Sequence, residues 1–329
     1  MLNIRIATGL LFVSSTLTGC ASFDQTSDDV YRRESGGTLK PWKSALEGAK
    51  THLPFAWAAV SAYLHEADGK NIEVSETCPE PHAYLSSKNW QLWTDLPRVG
   101  RKSSVINDLE TKLQDAHLRA EVWSNEVSNT VIVAFGGTAS LDDVGANARW
   151  FLPFGEPDAY HALTDQFVPA FSKAYRARLD QPEWAWLQKA RVISTGHSLG
   201  GGLAQRFAYS LEPANKVPGV NEVYAFNPSP VSGKRSVLNH KERAKGLTIY
   251  RIYNRGEILA GVRSILQWGN PGNEINQGQT FVDIRYSSDW SWRSTLPAGW
   301  IKAHGMHQLA CFMKLHTEKA SETSSLSVR

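Results

Sequence analysis

The stretch Arg191 to Tyr209, RVISTGHSLGGGLAQRFAY, admits few folds. Val192 and Ile193 begin a β-type run, and Leu203 to Leu211 is helix-forming. Between them Gly196-His197-Ser198-Leu199-Gly200 has the form G-x-S-x-G. A strand that turns sharply into a helix around a serine is the context of a nucleophile elbow. The sharp turn presses backbone segments together, so the positions two before and two after the serine must be small. Gly196 and Gly200 meet that demand. The turn also sets the Ser198 hydroxyl at the start of the following helix, where free N–H groups and the helix dipole favour developing negative charge. A glycine-rich turn without chemistry spells the same five residues but requires neither the strand before it nor the helix after it.

The rest of the chain continues that alternation. LRAEVWSNEVSNTVIVAFGGT reads as two strands around a turn at Ser124-Asn125, the second being Val131 to Phe135. DQFVPAFSKAYRARL and EWAWLQKA read as helices, and VNEVYAF and LTIYRIYN as buried strands. From Pro41, PWKSALEGAKTHLPFAWAAVSAYLHEA has helical spacing, broken near Pro54. The pattern predicts one α/β domain with a largely parallel central sheet flanked by helices. With 42% hydrophobic residues in 329, the chain has material for a full core. The 35 basic and 32 acidic residues leave a net charge of +3, which gives no electrostatic case for nucleic acid.

The N-terminus, MLNIRIATGLLFVSSTLTGCASF, has one early charge, Arg5, then an apolar run from Ile6 to Leu17. The run is shorter than the roughly 20 residues that span a bilayer, so it reads as a signal peptide. Leu17-Thr18-Gly19-Cys20 resembles the lipobox of bacterial lipoproteins, in which the cysteine becomes the acylated first residue. An ordinary cleavable signal is the alternative. In Gram-negative lipoproteins, a residue other than Asp after that cysteine, here Ala21, implies delivery to the outer membrane. The expected organisation is a signal peptide over 1–19, a lipidated tether over 20–45, the α/β domain over 46–320 and a polar tail over 321–329. Lipid on Cys20 leaves Cys78 and Cys311 of the three cysteines. Export permits a disulfide between them, while the apolar run LACFM around Cys311 equally suits a buried thiol.

VISTGHSLGGGLAQRFA resembles the nucleophile region of the class 3 (fungal-type) lipases of the α/β-hydrolase superfamily. NTVIVAFGGTASLDD is similar to their oxyanion-loop strand, YHALTDQFVPAF to the segment between the two, and VYAFNPSPVSG to the strand and loop after the nucleophile helix. The resemblance spans Leu46 to Lys314, and the elbow is its most specific part. It implies an α/β-hydrolase fold and an oxyanion hole from the backbone N–H groups of Thr138 and Leu199. Thr138 also reads as a simple turn threonine, and Asp142 or Asp143 is placed to hold its hydroxyl. Gly136 stands where the family usually carries Arg, which removes a charged anchor.

In α/β-hydrolases the acid follows the serine and the histidine comes last. Glu257, just after the strand in LTIYRIYNRGEILAGV, matches where the family carries Asp, though it is a Glu; a solvated loop glutamate is its other reading. Asp283, within TFVDIRY, is the runner-up, with a mid-strand position against it. AHGMHQLACFM resembles the segment that carries the family's base, which favours His304. His307, three residues on, is a supporting partner or a surface residue. His240 precedes Glu257 and breaks the order, and His197 beside the nucleophile is read as packing.

The resemblance implies two-step acyl transfer with Ser198 as nucleophile, His304 as base and Glu257 as acid. No cofactor and no metal is expected, since neither H-E-x-x-H nor a close Cys/His cluster appears in the sequence. Two apolar stretches, ARWFLPFG (148–155) and SDWSWRSTLPAGW (288–300), are placed to meet lipid or to close the core. The expected substrate is a lipid acyl ester. Acyl transfer on the same fold, and a non-catalytic lipoprotein that binds lipid or a partner, are the competing readings.

Overall fold

Strand Thr130–Phe135 shows how the sequence makes the centre of this molecule. Val131, Val133 and Phe135 join one hydrophobic cluster, and Ile132 and Ala134 join another on the opposite face. Side chains alternate across a strand, so a run apolar at every position demands cover on both sides. The structure is a computed structural model that describes residues 30–35, 37–38, 40–42, 45–63, 78–96, 108–137, 157–214, 216–230, 232–257, 278–287 and 305–326.

Among them nine strands form one sheet: β1 (Tyr31–Glu34), β2 (Lys40–Pro41), β3 (Gln91–Leu92), β4 (Ala120–Asn125), β5 (Thr130–Phe135), β6 (Arg191–His197), β7 (Val220–Phe226), β8 (Thr248–Asn254) and β9 (Thr280–Tyr286). Their order is β2-β1-β9-β8-β7-β6-β5-β4-β3. Strands β5 to β9 are parallel, and antiparallel pairs close both ends. One face carries α1 (Ala45–Ser61), α2 (Pro81–Ser87) and α8 (Met306–Leu326). The other carries α3 (Asp108–Asp115), α4 (Pro157–Ala162), α5 (Val168–Leu179) and α6 (Leu199–Ser210), with a π-helical turn (Leu163–Phe167) joining α4 to α5. A short α7 (His240–Arg243) precedes β8. This largely parallel sheet between two helical layers is an α/β-hydrolase fold. Among the described residues no helix is long and apolar enough to cross a membrane.

Four expectations need correction. The turn before β5 is Glu126–Asn129, not Ser124-Asn125, which close β4. Asn125 Oδ1 accepts the Ser128 N–H at 3.0 Å and Asn129 takes the left-handed φ of 48°, both habits of turn asparagines. Helix α1 runs through Pro54 unbroken. Proline there removes one helical hydrogen bond, but Leu53 and Phe55 to Val60 are all buried against the sheet, and that packing holds the helix. Pro182–Lys189 is a 3-10 helix rather than an α-helix. Helix α8 extends through Leu326, into the stretch read as tail.

Ordered structure also reaches back into the segment read as tether, because β1 pairs with β9. In register, Arg33 and Arg251 flank Asp283 from the two neighbouring strands. Arg251 Nε lies 2.6 Å from Asp283 Oδ1, and Arg33 Nε donates to Oδ2 at 2.9 Å. One buried carboxylate thus pairs with two guanidiniums, one from each neighbouring strand, and fastens β1 to the sheet. On the α1/α8 face Cys78 and Cys311 form a disulfide, with Cα atoms 5.1 Å apart, so the bridge rather than the buried thiol is present. Cys20 and the apolar stretches 148–155 and 288–300 lie outside the described residues.

Candidate active site

Parallel strands end together, so the loops after β5, β6, β7 and β8 gather at one edge of the sheet. Ser198 follows the last residue of β6 and directly precedes α6. Its backbone sits at φ 57°, ψ −122°, a conformation costly for a residue with a Cβ. The strain is held by hydrogen bonds from three sides. Ser198 donates its N–H to Phe226 O at 3.0 Å, and its carbonyl accepts from Gly201 N at 3.0 Å and Ser229 N at 2.9 Å. Every residue of α6 from Gly200 to Ser210 is buried. A helix so enclosed presents its N-terminal N–H groups at a fixed place, and Leu199 is its first residue.

The glycines of the motif answer to contact. A Cβ on Gly196 would strike the Gly200 carbonyl, and one on Gly200 would strike Phe135 O. Gly136, where the resemblance leads one to expect Arg, has the same origin: a Cβ there would lie 2.6 Å from Ala62 O. The end of α1 comes too close for any side chain at that position.

Glu257 is 2% exposed, so it is no solvated loop glutamate. Hydrogen bonds connect its loop to the elbow. Asn227, which follows Phe226 with φ 39°, donates its N–H to Ile252 O at 2.7 Å. Its Oδ1 accepts the Asn254 N–H at 2.8 Å. The Glu257 N–H then reaches Asn254 O at 3.4 Å. Asp283, the runner-up, is occupied by its two arginines within β9. His240 faces its own turn, with Nδ1 3.0 Å from Val237 O. His307 lies in the first turn of α8 with Nε2 3.3 Å from Cys78 Sγ, so it belongs to the disulfide. Thr138, Asp142, Asp143 and His304 lie outside the described residues; Gly305, directly before α8, is described.

His197 is buried, and the Tyr63 hydroxyl lies 2.8 Å from its Nδ1 and 3.0 Å from its carbonyl oxygen. Burial pushes the Tyr63 hydroxyl pKa up, so it stays a donor, and the Gly137 N–H bonds to it. One assignment satisfies every group: Tyr63 donates to His197 O and accepts from His197 Nδ1–H and Gly137 N–H. Tyr63 thereby ties the strand end before Ser198 to the residue before Thr138. Nothing local in the sequence marks it beyond an aromatic residue just past the end of α1. Asn227 was equally silent.

Arg206, on α6, steadies the loop after β7. Its guanidinium donates to Gly233 O, Ser236 Oγ and, at 3.1 Å, Thr164 Oγ1. The edge therefore combines a strained serine at a helix start, a buried carboxylate two strands away and a braced loop after β5.

No protein-family model matches the chain, and no curated protein matches it in sequence. Among solved structures it is similar to the Lip2 lipase of Yarrowia lipolytica at 17% identity, covering 71% of this chain and 78% of that one, with a TM-score of 0.43. It is also similar to the lipase of Rhizopus microsporus var. chinensis at 16% identity, covering 67% and 70%, with a TM-score of 0.42. Lipase II from Rhizopus niveus is 14% identical, with 75% and 79% covered and a TM-score of 0.42. The α/β-hydrolase fold is carried by the chain's own strand order and elbow.

Proposed function

We propose that this chain is a serine carboxylic-ester hydrolase acting on lipid acyl esters, tethered to a membrane through a lipidated Cys20. The observation that carries the reading is Ser198 itself. A strained backbone persists only where its surroundings enforce it, and here it puts a serine at the start of a buried helix, on the same sheet edge as a buried glutamate.

In the proposed reaction His304 takes the Ser198 proton as the hydroxyl attacks the ester carbonyl, and Glu257 orients the imidazole and stabilises its protonated form. The N–H groups of Leu199 and Thr138 receive the oxyanion, each typically worth a few kcal/mol of barrier. Collapse expels the alcohol with the proton from His304, and water then attacks the acyl-enzyme by the same route. Signal cleavage before Cys20 and lipidation of that cysteine put the domain on the periplasmic side of the outer membrane in this reading.

The test compares the chain with its Ser198→Ala variant on p-nitrophenyl esters of several chain lengths and on phospholipid vesicles. A fluorophosphonate probe reads the nucleophile directly. Hydrolysis and labelling that vanish together in the variant support the proposal. Equal behaviour of the two proteins on every substrate would sink it, and labelling without hydrolysis would move the reading to acyl transfer.

A further inference from the structure

The disulfide has a third partner. Among the described residues, Cys78, His307 and Cys311 are the one group of three metal-ligating side chains whose donor atoms lie within 4.8 Å of one another. His307 and Cys311 are four apart on α8, so they share a helix face. Cys78 approaches from the segment before α2, with its Sγ 3.3 Å from His307 Nε2. Trp57 packs edge-on to the imidazole at 6.0 Å and limits its choice of direction. All three ligand residues are half-buried, within reach of small solutes.

We infer that the reduced chain holds a thiophilic divalent cation, of the zinc class, between Cys78, Cys311 and His307. Zinc takes thiolate at about 2.3 Å and imidazole at about 2.0–2.1 Å in tetrahedral geometry, which requires sulfur–nitrogen separations of about 3.5 Å and a sulfur–sulfur separation of about 3.8 Å. The first is already nearly met for Cys78, and the Cys311 sulfur lies within 4.8 Å of the imidazole donor. The second needs only that the covalent bond open and two side chains of a helix and an adjoining segment rotate apart. A phosphine reductant converts the disulfide to two thiols and takes oxygen from water to become its oxide. The cation then displaces both thiol protons and binds neutral His307. Three protein ligands leave the fourth position for water. The soft donor pair selects against magnesium and calcium. The same residues therefore make a covalent staple when oxidised and a metal clasp between α8 and the α2 segment when reduced.

The experiment uses the full chain with Cys20→Ser, so that only the two thiols remain, and titrates Co²⁺ before and after reduction by a phosphine. The expected result is one equivalent of Co²⁺ with thiolate-to-metal charge-transfer absorption in the reduced chain alone, displaced by Zn²⁺. His307→Gln should weaken Co²⁺ binding at least tenfold. A reduced chain without that absorption overturns the proposal, as does a His307→Gln variant that titrates like its parent. If reduction unfolds the chain, recovery of the folded circular-dichroism spectrum on adding Co²⁺ supports the site, and failure to recover it counts against the site.

Discussion

The hydroxyl of Tyr63 lies 2.8 Å from Nδ1 of His197 and 3.0 Å from the same residue's carbonyl oxygen, across 134 positions of sequence. That node joins the strand end that carries Ser198 to the start of the loop that carries Thr138. Tyr63 is a positioning residue in the proposed reaction. Tyr63→Phe is expected to lower kcat about tenfold with KM nearly unchanged, because the misplaced donor acts on the transition state. A stability loss of about 1–3 kcal/mol accompanies it, from groups left unpaired. A fall in melting temperature with kcat intact would reduce Tyr63 to a structural bond.

The strained backbone at Ser198 predicts a trade between stability and chemistry. Glycine accepts φ 57° at little cost, and alanine does not. Ser198→Gly should unfold at higher denaturant than Ser198→Ala, by about 1 kcal/mol, while both are inactive. Equal midpoints for the two variants would show that the surroundings bear no such load.

Glu257 and Asp283 are expected to separate cleanly. Glu257→Gln should cut turnover at least about 100-fold, as loss of a triad acid does, and move the melting point little. Asp283→Asn leaves Arg33 and Arg251 facing each other across β9. It should cost about 2 kcal/mol, less than a fully buried pair because Arg33 is well exposed. Its kcat should stay within about twofold of the parent. The reverse ranking in turnover would make Asp283 the acid.

His52 gives the fold a pH dependence. It is 3% exposed in a ring of Trp42, Tyr224, Tyr250 and Tyr286, with Arg32 as the nearby charge. Burial, and then Arg32, push its pKa down to about 3. The unfolded chain therefore binds a proton below pH 6.5 that the native chain refuses, and stability falls as pH drops through that range towards 3. Between pH 7 and pH 5 the loss is about 2 kcal/mol. Urea midpoints at both pH values should show it in the parent and lack that share in His52→Gln; identical slopes would refute the assignment.

What the sequence disclosed and what it withheld differ in range. Ser198, Gly196 and Gly200 were legible because an elbow is local: strand, turn and helix lie within twenty residues, and contact chemistry dictates the glycines. Chain order along successive strands pointed to Glu257 as the candidate acid, and the structure shows it buried just after β8. Tyr63 and Asn227 were not, since each acts on backbone atoms brought near only by the finished sheet. β1 was misread for a related reason. YRRE is polar and short, and Arg33 gains its buried carboxylate partner only once Asp283 and Arg251 stand beside it. Pro54 misled because local propensity was weighed without the packing that overrides it.

The docking of β1 has a consequence for how the enzyme proposed here meets its substrate. Nine residues, or ten Cα steps, separate Cys20 from Val30, a leash of at most about 35 Å, where a domain beginning at residue 46 would have about 90 Å. Its point of attachment matters as much. Tyr31 is level with Arg285, at the end of β9, and β9 runs parallel to the strands whose ends gather around Ser198. The chain thus enters the fold on the edge that carries Ser198, four strand spacings or about 19 Å from β6. A lipid on Cys20 would hold that edge, and not its opposite, toward the bilayer, so that anchoring also sets the orientation of attack.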